Sequence, residues 1–143
     1  MGDLYEYDVL EWSELQGRIL RQHAAGTPGN EPPDWANIIE EVESVGRSQR
    51  DAVENLWTLA FLHDLKAAAW PQSRDEPHWR GEARLFRRQA RRKFTPSMRD
   101  KVDVAMLYAD ACAGLPDHMD GQPGLAVPNT CPVTLDGLLR DNA

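Results

Sequence analysis

One apolar phase runs without a break from Ile38 through Val42, Val45, Gln49, Val53, Leu56, Ala60 and His63 to Ala67. Steps of three and four residues put these positions on one side of a helix. Gly46 lies inside the run. A mid-helix glycine costs about 1 kcal/mol relative to alanine, which a buried stripe readily offsets. The spacing therefore predicts a single helix over 35–69, capped by Asp34. The competing reading breaks the chain at Val45-Gly46-Arg47-Ser48, with Ser48 and Asp51 capping a new start. A rod of this length cannot bury its stripe alone, so it needs other helices to pack on.

The rest of the chain supplies them. Asp3 and Glu6 have the spacing of a capping box, and Tyr5, Val9, Trp12, Leu15, Ile19 and His23 extend a stripe that predicts a helix over 4–24. The Gly- and Pro-rich segment 25–33 is a loop, as is 70–77. Trp79, Ala83, Phe86, Ala90 and Phe94 mark a third helix whose other faces are crowded with arginine. Thr95-Pro96 reads as the cap and first residue of a fourth, with Met98, Val102, Ala105, Ala109 and Cys112 as its stripe and Gly114 and Pro116 at its end. The stretch that follows holds too many breakers for a helix or a central strand, and Thr134 then caps a last helix, Leu135 to Arg140. No segment alternates with period two for long enough to build a sheet. The expected fold is all-α: an antiparallel bundle of four main helices with one long central helix and a loop-rich C-terminal segment ending in a short helix. It is read as one domain over 1–143, with 1–114 as the bundle and 115–143 packing on it.

Composition narrows the function classes. A chain of 143 residues hides roughly 70% of the surface its unfolded form exposes, enough for a core without cross-links. Two cysteines, Cys112 and Cys131, with no Cys-x-x-Cys spacing, indicate neither a zinc site nor a secreted disulfide scaffold. No apolar run approaches the ~18 residues of a membrane span, and the acidic N-terminus is unlike a signal peptide. The expectation is a soluble protein of the reducing cytoplasm with no membrane partner. Its formal charge of −7 is uneven: residues 74–101 hold 10 of the 16 basic side chains and a balance of +6, which leaves −13 for the remainder. Such asymmetry raises the question of a charged partner.

Residues 34–66, DWANIIEEVESVGRSQRDAVENLWTLAFLHDLK, followed by HWRGEARLFRR, TPSMR and TCPVTLDGLL, resemble the bacterial family known as domain of unknown function 29. The signature positions carried by that resemblance are Trp35, Asn37, Glu40, Glu41, Glu43, Ser44, Gly46, Arg47, Ser48, His63, Lys66 and Trp79, with a closing Cys131, Pro132, Thr134 and Leu135. The chain departs from the pattern at His78, where serine is expected, and at Gly137, where a longer side chain is expected. The resemblance implies an all-helical fold and supplies no activity.

Clustered carboxylates can hold a metal or move a proton, so Glu40, Glu41 and Glu43 are the first candidates. Measured from Ile38, Glu40 and Glu43 point about 200° and 140° away, while Glu41 lies at about 300°, at the margin of the stripe. The three do not converge. They read better as a solvated helix start, where negative charge is favoured, with Glu43 four residues before Arg47 as its ion-pair partner. His63 falls on the inward line with Lys66 beside it. A histidine there usually hydrogen-bonds a backbone carbonyl or a carboxylate, and any functional partner must come from another helix, with Glu11, Glu14 and Trp79 available. On a continuous helix, 22 residues separate His63 from Glu41, roughly 33 Å at ~1.5 Å per residue and too far for a shared metal. No Glu-x-x-His pair sits on facing helices. Ser44, Ser48, Cys112 and Cys131 lack an evident base. No catalytic residue, metal or cofactor is assigned.

Arg80, Arg84, Arg87, Arg88, Arg91 and Arg92 spread over one broad face of the third helix, which can track phosphates. It lacks interleaved aromatics for base stacking, and the acidic remainder repels nucleic acid. Three functions are thus carried forward. First is a non-catalytic protein that binds another protein or its own copies through its acidic signature helix and its arginine helix. Next is a nucleic-acid-binding regulator using Arg80, Arg84, Arg87, Arg88 and Arg91. The third is a metal or enzyme site around His63.

Overall fold

The computed structural model describes residues 3–140. Asp3 starts a single turn, α1 (Leu4–Tyr7), by accepting from the Tyr5 N–H at 3.2 Å. The helix expected over 4–24 does not run on from it. Asp8 takes φ −150° and ψ 90°, and its carboxylate accepts from the Glu11 N–H at 3.0 Å, which starts α2 (Val9–Ala24) afresh. A short acidic side chain competes for nearby backbone donors more effectively than it sustains a helix interior. The expected stripe holds at its centre, where Trp12 and Ile19 are buried together with Gln16, and fails at Val9 and His23, which are exposed.

The long helix, α3 (Trp35–Ala69), is helical throughout, Gly46 included, and no new cap forms at Ser48 or Asp51. A Cβ at Gly46 would meet nothing within 4 Å, so this glycine serves neither a turn nor a close approach. The expected stripe is buried only in part. Val53, Ala60 and Ala67 are buried, Leu56 and His63 are half-buried, and Val42 and Val45 are exposed. The deepest line in the second half runs instead through Val53, Trp57, Phe61 and Leu65. Steps of four drift slowly around a helix, and here that drift selects the bulkier side chains for the core.

The chain divides between Arg47 and Ser48 into two compact units. In the first, buried Trp12, Gln16 and Ile19 of α2 accompany the start of α3, with the Trp12 ring edge-on to Tyr5 at 4.8 Å. The second unit holds the main core. Val53, Trp57, Phe61 and Leu65 of α3 pack with Ala90 of α4 (Glu76–Lys93) and with Leu107, Tyr108 and Ala111 of α5 (Val104–Gly114). Trp57 lies 5.7 Å from Phe94, and Phe61 meets Tyr108 edge-on at 5.4 Å. The indole Nε1 of Trp57 is buried and has no hydrogen-bond partner among the described residues. Ala67, Ala69, Trp70 and Trp79 form a second cluster.

α4 follows its predicted stripe, with Trp79, Ala83 and Ala90 buried and Arg91, Arg92 and Lys93 in the last turn, where the helix dipole favours cations. The fourth helix is a correction. Pro96–Met98 forms only a short 3-10 turn, and Asp103 caps α5 by accepting from the Met106 N–H at 3.2 Å. The later start moves the buried face to Val104, Leu107, Tyr108 and Ala111, leaving Ala105 and Ala109 exposed. In the loop-rich segment, β1 (His118–Met119) and β2 (Gln122–Pro123) make a small hairpin that the sequence pattern did not predict. Its loop is Asp120-Gly121, both with positive φ (52° and 75°), the pairing favoured in a two-residue hairpin turn. The closing helix, α6 (Leu135–Leu139), begins as expected: the Thr134 hydroxyl accepts from the Gly137 N–H at 3.1 Å. The fold is all-α, and no described helix is long and apolar enough to cross a membrane.

Candidate functional site

The signature residues at the start of α3 fall into two kinds. One set ties the first unit together. The Asp34 carboxylate accepts from the Asn37 side-chain amide at 2.7 Å and from the Trp12 indole at 3.0 Å, while the Asp34 N–H donates to Gln16 at 2.8 Å. Asn37 first, and Trp12 after it, hold the Asp34 carboxyl below its ordinary value of 3.8. Glu41 accepts from the Tyr5 hydroxyl at 2.5 Å, and Ser44 donates to the Glu41 backbone carbonyl at 2.9 Å. The bond to Glu41 is the main reason that the Tyr5 phenol is raised above 10.0. Glu41 is thus occupied in holding α1.

The other set faces outward. Arg47 pairs with Glu40 at 2.7 Å across two turns, not with Glu43 as the four-residue spacing suggested. Both partners are about half exposed, so the pair contributes little to stability. Glu43, Gly46 and Ser48 are exposed, and Glu43 has no ion-pair partner among the described residues. The three glutamates therefore do not converge. Trp35 is exposed too, its ring tilted beside His23 at 6.4 Å. With Ile39, Val42 and Val45 it leaves an apolar strip uncovered.

His63 is half-buried. Its Nδ1–H donates to the Leu59 carbonyl at 2.8 Å, and its ring meets Phe86 edge-on at 5.3 Å. Of the residues expected as its partners, Trp79 is buried with Ala67, Ala69 and Trp70, while Glu11 and Glu14 are exposed residues of the first unit. Lys66 is half-buried beside the core. No group of three or more His, Cys, Asp or Glu side chains able to hold a metal occurs among the described residues.

The arginine face of α4 is divided. Arg87 is largely buried and forms an ion pair with Asp64 of α3; Arg80 lies 3.8 Å from the same carboxylate and 2.7 Å from Glu76. Arg91 is half-buried as well. Arg84, Arg88 and Arg92 are exposed and make no ion pair with another described residue. Six arginines grouped by sequence as one surface thus divide between ion pairing and exposure.

The closing motif is structural. Cys131 donates its thiol to the Val133 carbonyl at 3.2 Å, Thr134 caps α6, and Leu135 packs against the main core. Nearby, the Tyr108 hydroxyl donates to the Pro128 carbonyl at 2.6 Å, and burial first, then the Cys112 thiol, push its phenol up to about 12. Two grooves open in the second unit. One, of about 460 Å³, lies between α3, α4, α5 and the C-terminal segment; the other, of about 640 Å³, lies between Trp70, Arg74 and the hairpin.

The family model described as Domain of unknown function DUF29 matches residues 4–143, nearly the whole chain. The chain belongs to the DUF29 family. This DUF29 chain is also similar to an alpha-helical protein of unknown function from Rhodospirillum rubrum ATCC 11170, seen in a crystal structure. The TM-score is 0.62 at 20% identity, over 99% of this chain and 92% of that one. At such identity the likeness concerns the fold alone. A search of curated proteins finds no match.

The bonding roles of several residues in the DUF29 chain escaped the sequence pattern. Tyr5, Trp12 and Gln16 secure the start of α3, and Asp64 gathers the arginines. Trp12 carried a usable signal, since an inward tryptophan needs an acceptor for its N–H and Asp34 stands at a helix start. Asp64 carried none, because a carboxylate beside the inward line looks the same whether it meets water or an arginine from a distant helix.

Proposed function

We propose that this DUF29 protein works by binding a partner protein and not by catalysis, with the first half of α3 as its docking face. One observation carries this reading: Trp35, Ile39, Val42 and Val45 are 53%, 53%, 69% and 61% exposed on one side of a regular helix. Scattered surface apolar residues are ordinary, but four at helical spacing make a strip of the kind that receives an amphipathic helix. Tyr7, Val9 and Leu10 add exposed apolar surface in the same unit. Charge selects the occupant. Residues 1–47 contain 10 acidic and 3 basic side chains, a balance of −7 that equals the whole chain's formal charge. Such a surface disfavours a second copy of itself and favours a basic amphipathic helix, whose lysines and arginines meet the carboxylates around the strip. The free thiols Cys112 and Cys131 suit a reducing cytoplasm as the place of action.

The test is fluorescence anisotropy with a labelled helical peptide carrying leucines along one stripe and lysines on its flanks. Binding is expected to weaken as salt rises. It should drop by about tenfold or more in Val42→Asp, which places an unpaired charge in the interface. An acidic peptide with the same leucine pattern should not bind. Equal affinity of wild type and Val42→Asp would sink this reading. Concentration-dependent mass in light scattering without peptide, abolished by Val42→Asp, would make the occupant a second copy. Low-salt binding of DNA, lost in an Arg84→Glu/Arg88→Glu variant, would move the contact to α4 and favour the nucleic-acid alternative.

A further inference from the structure

The chain has two cysteines, one on α5 and one in the loop-rich segment, and the fold brings them to the same side of the main core. Both are free, and both are only half-buried, so neither sulfur is sealed from solvent. Cys112 follows Tyr108 by four residues on α5, which puts the two on one face about 6 Å apart along the axis. The Tyr108 hydroxyl donates to the Pro128 carbonyl at 2.6 Å, and Pro128, Pro132 and Val133 line the same groove as Tyr108. Cys131 stands inside this stretch, three residues after Pro128, a span of at most roughly 10 Å. Burial first, and then the Cys112 and Cys131 thiols, push the Tyr108 phenol up, as expected where both sulfurs lie near that one hydroxyl. Residues 124–133 carry neither helix nor strand, so this loop can move to bring the two Cα atoms to the roughly 4.4–6.8 Å that a disulfide requires.

We propose that Cys112 and Cys131 are a redox switch: a small-molecule disulfide of the glutathione type joins them, and the bond staples the C-terminal segment to α5. The Cys131 thiolate, on the loop, attacks one sulfur of the oxidant and expels one thiolate. The Cys112 thiolate then attacks the Cys131 sulfur of the mixed disulfide and expels the second. The protein gives up two protons and two electrons, and the oxidant takes them up to become two thiols. Oxidation removes only the weak bond from the Cys131 thiol to the Val133 carbonyl, which is exposed. The staple encloses 18 residues, 113–130, a loop long enough for the cross-link to restrict the unfolded chain and so to stabilise the folded one. Excess thiol reverses the step and restores the free pair. The switch lies wholly within the second unit and stands independently of the docking face on α3.

Equilibration of the folded full chain with mixtures of oxidised and reduced glutathione tests the switch, read by acid quench, alkylation of free thiols and peptide mass spectrometry. Wild type is expected to lose both thiols together and to yield a Cys112–Cys131 linked peptide from a monomer. Cys112→Ala should stop at a glutathione mixed disulfide on Cys131. Urea unfolding of wild type supplies a second measurement that needs no variant: the oxidised chain should unfold at a higher urea concentration than the reduced one, and excess dithiothreitol should abolish the shift. Stable glutathione adducts on both cysteines, or a linkage found only between chains, would overturn the proposal. So would a linked monomer that unfolds at lower urea than the reduced protein, since the bond would then strain the fold instead of stapling it.

Discussion

The two halves of α3 share one apolar phase and have opposite fates. In Trp35–Arg47 the strip is uncovered: Val42 and Val45 are exposed, and the hydrogen-bonding residues Asn37 and Glu41 secure the helix from the side. In Ser48–Ala69 Val53, Ala60 and Ala67 of that phase are buried, and the core centres on the adjoining line through Val53, Trp57, Phe61 and Leu65. Periodicity reports that a face is apolar and says nothing about what covers it. A helix stripe that runs from a core into the open is half structure and half surface, and the surface half is where selection for binding can act without cost to the fold.

The contrast between the halves can be broken by measurement. Trp57→Ala should destabilise the protein by about 3–5 kcal/mol in urea unfolding, as expected for removal of a buried aromatic. Val42→Ala should stay within about 0.5 kcal/mol. Comparable losses at the two positions would show that the first half of the strip is covered after all.

Alkali sharpens the contrast from the side of the second unit. The Tyr108 phenol is raised to about 12 from 10.0, so the folded state holds its proton more tightly than the unfolded chain. That contribution is complete below pH 10 and is lost as pH rises through the folded value, on the order of 2 kcal/mol over that span. Tyr108→Phe should flatten the dependence of urea midpoint on pH in this window. Acid acts on the first unit with the opposite sign. Asp34 is depressed below 3.8, so its contribution is present above that value and disappears as pH falls through the lower folded one. Trp12→Phe, which removes one donor to Asp34, should cost about 1 kcal/mol at neutral pH and make unfolding less steep below pH 4.

The smallest expected effect is a gain. Gly46→Ala should raise stability by about 0.5–1 kcal/mol, since the position is helical and an added Cβ meets nothing within 4 Å. A loss on that substitution would mean that the helix bends or breaks there.

How much could be read beforehand follows from the range of each signal. The continuity of α3 was legible because periodicity is local and Gly46 interrupts it only weakly. The same local pattern misjudged α2 and α5, where Asp8 and Asp103 cap new helices inside what looked like continuous stripes. An aspartate in a helical pattern is ambiguous between surface and cap until its φ is known. The Asp120-Gly121 hairpin was legible in turn chemistry but hidden among other breakers. Least legible were the contacts between distant elements. Arg87 and Arg88 are adjacent and identical, yet one reaches Asp64 and the other reaches water. Helical phase separates the two, Arg87 lying about 80° from Trp79 and Arg88 about 180°, but it does not name the partner, because that is set by where α3 lies beside α4.

Amide-resolved NMR of the full chain, titrated with the basic amphipathic peptide, tests most directly whether the uncovered half of α3 is a binding surface. Shifts should saturate, concentrate at Trp35–Gln49 and leave the amides of Val53–Ala67 and Arg84–Arg92 in place. Saturating shifts centred on α4, or no saturating shifts at all, would contradict the account.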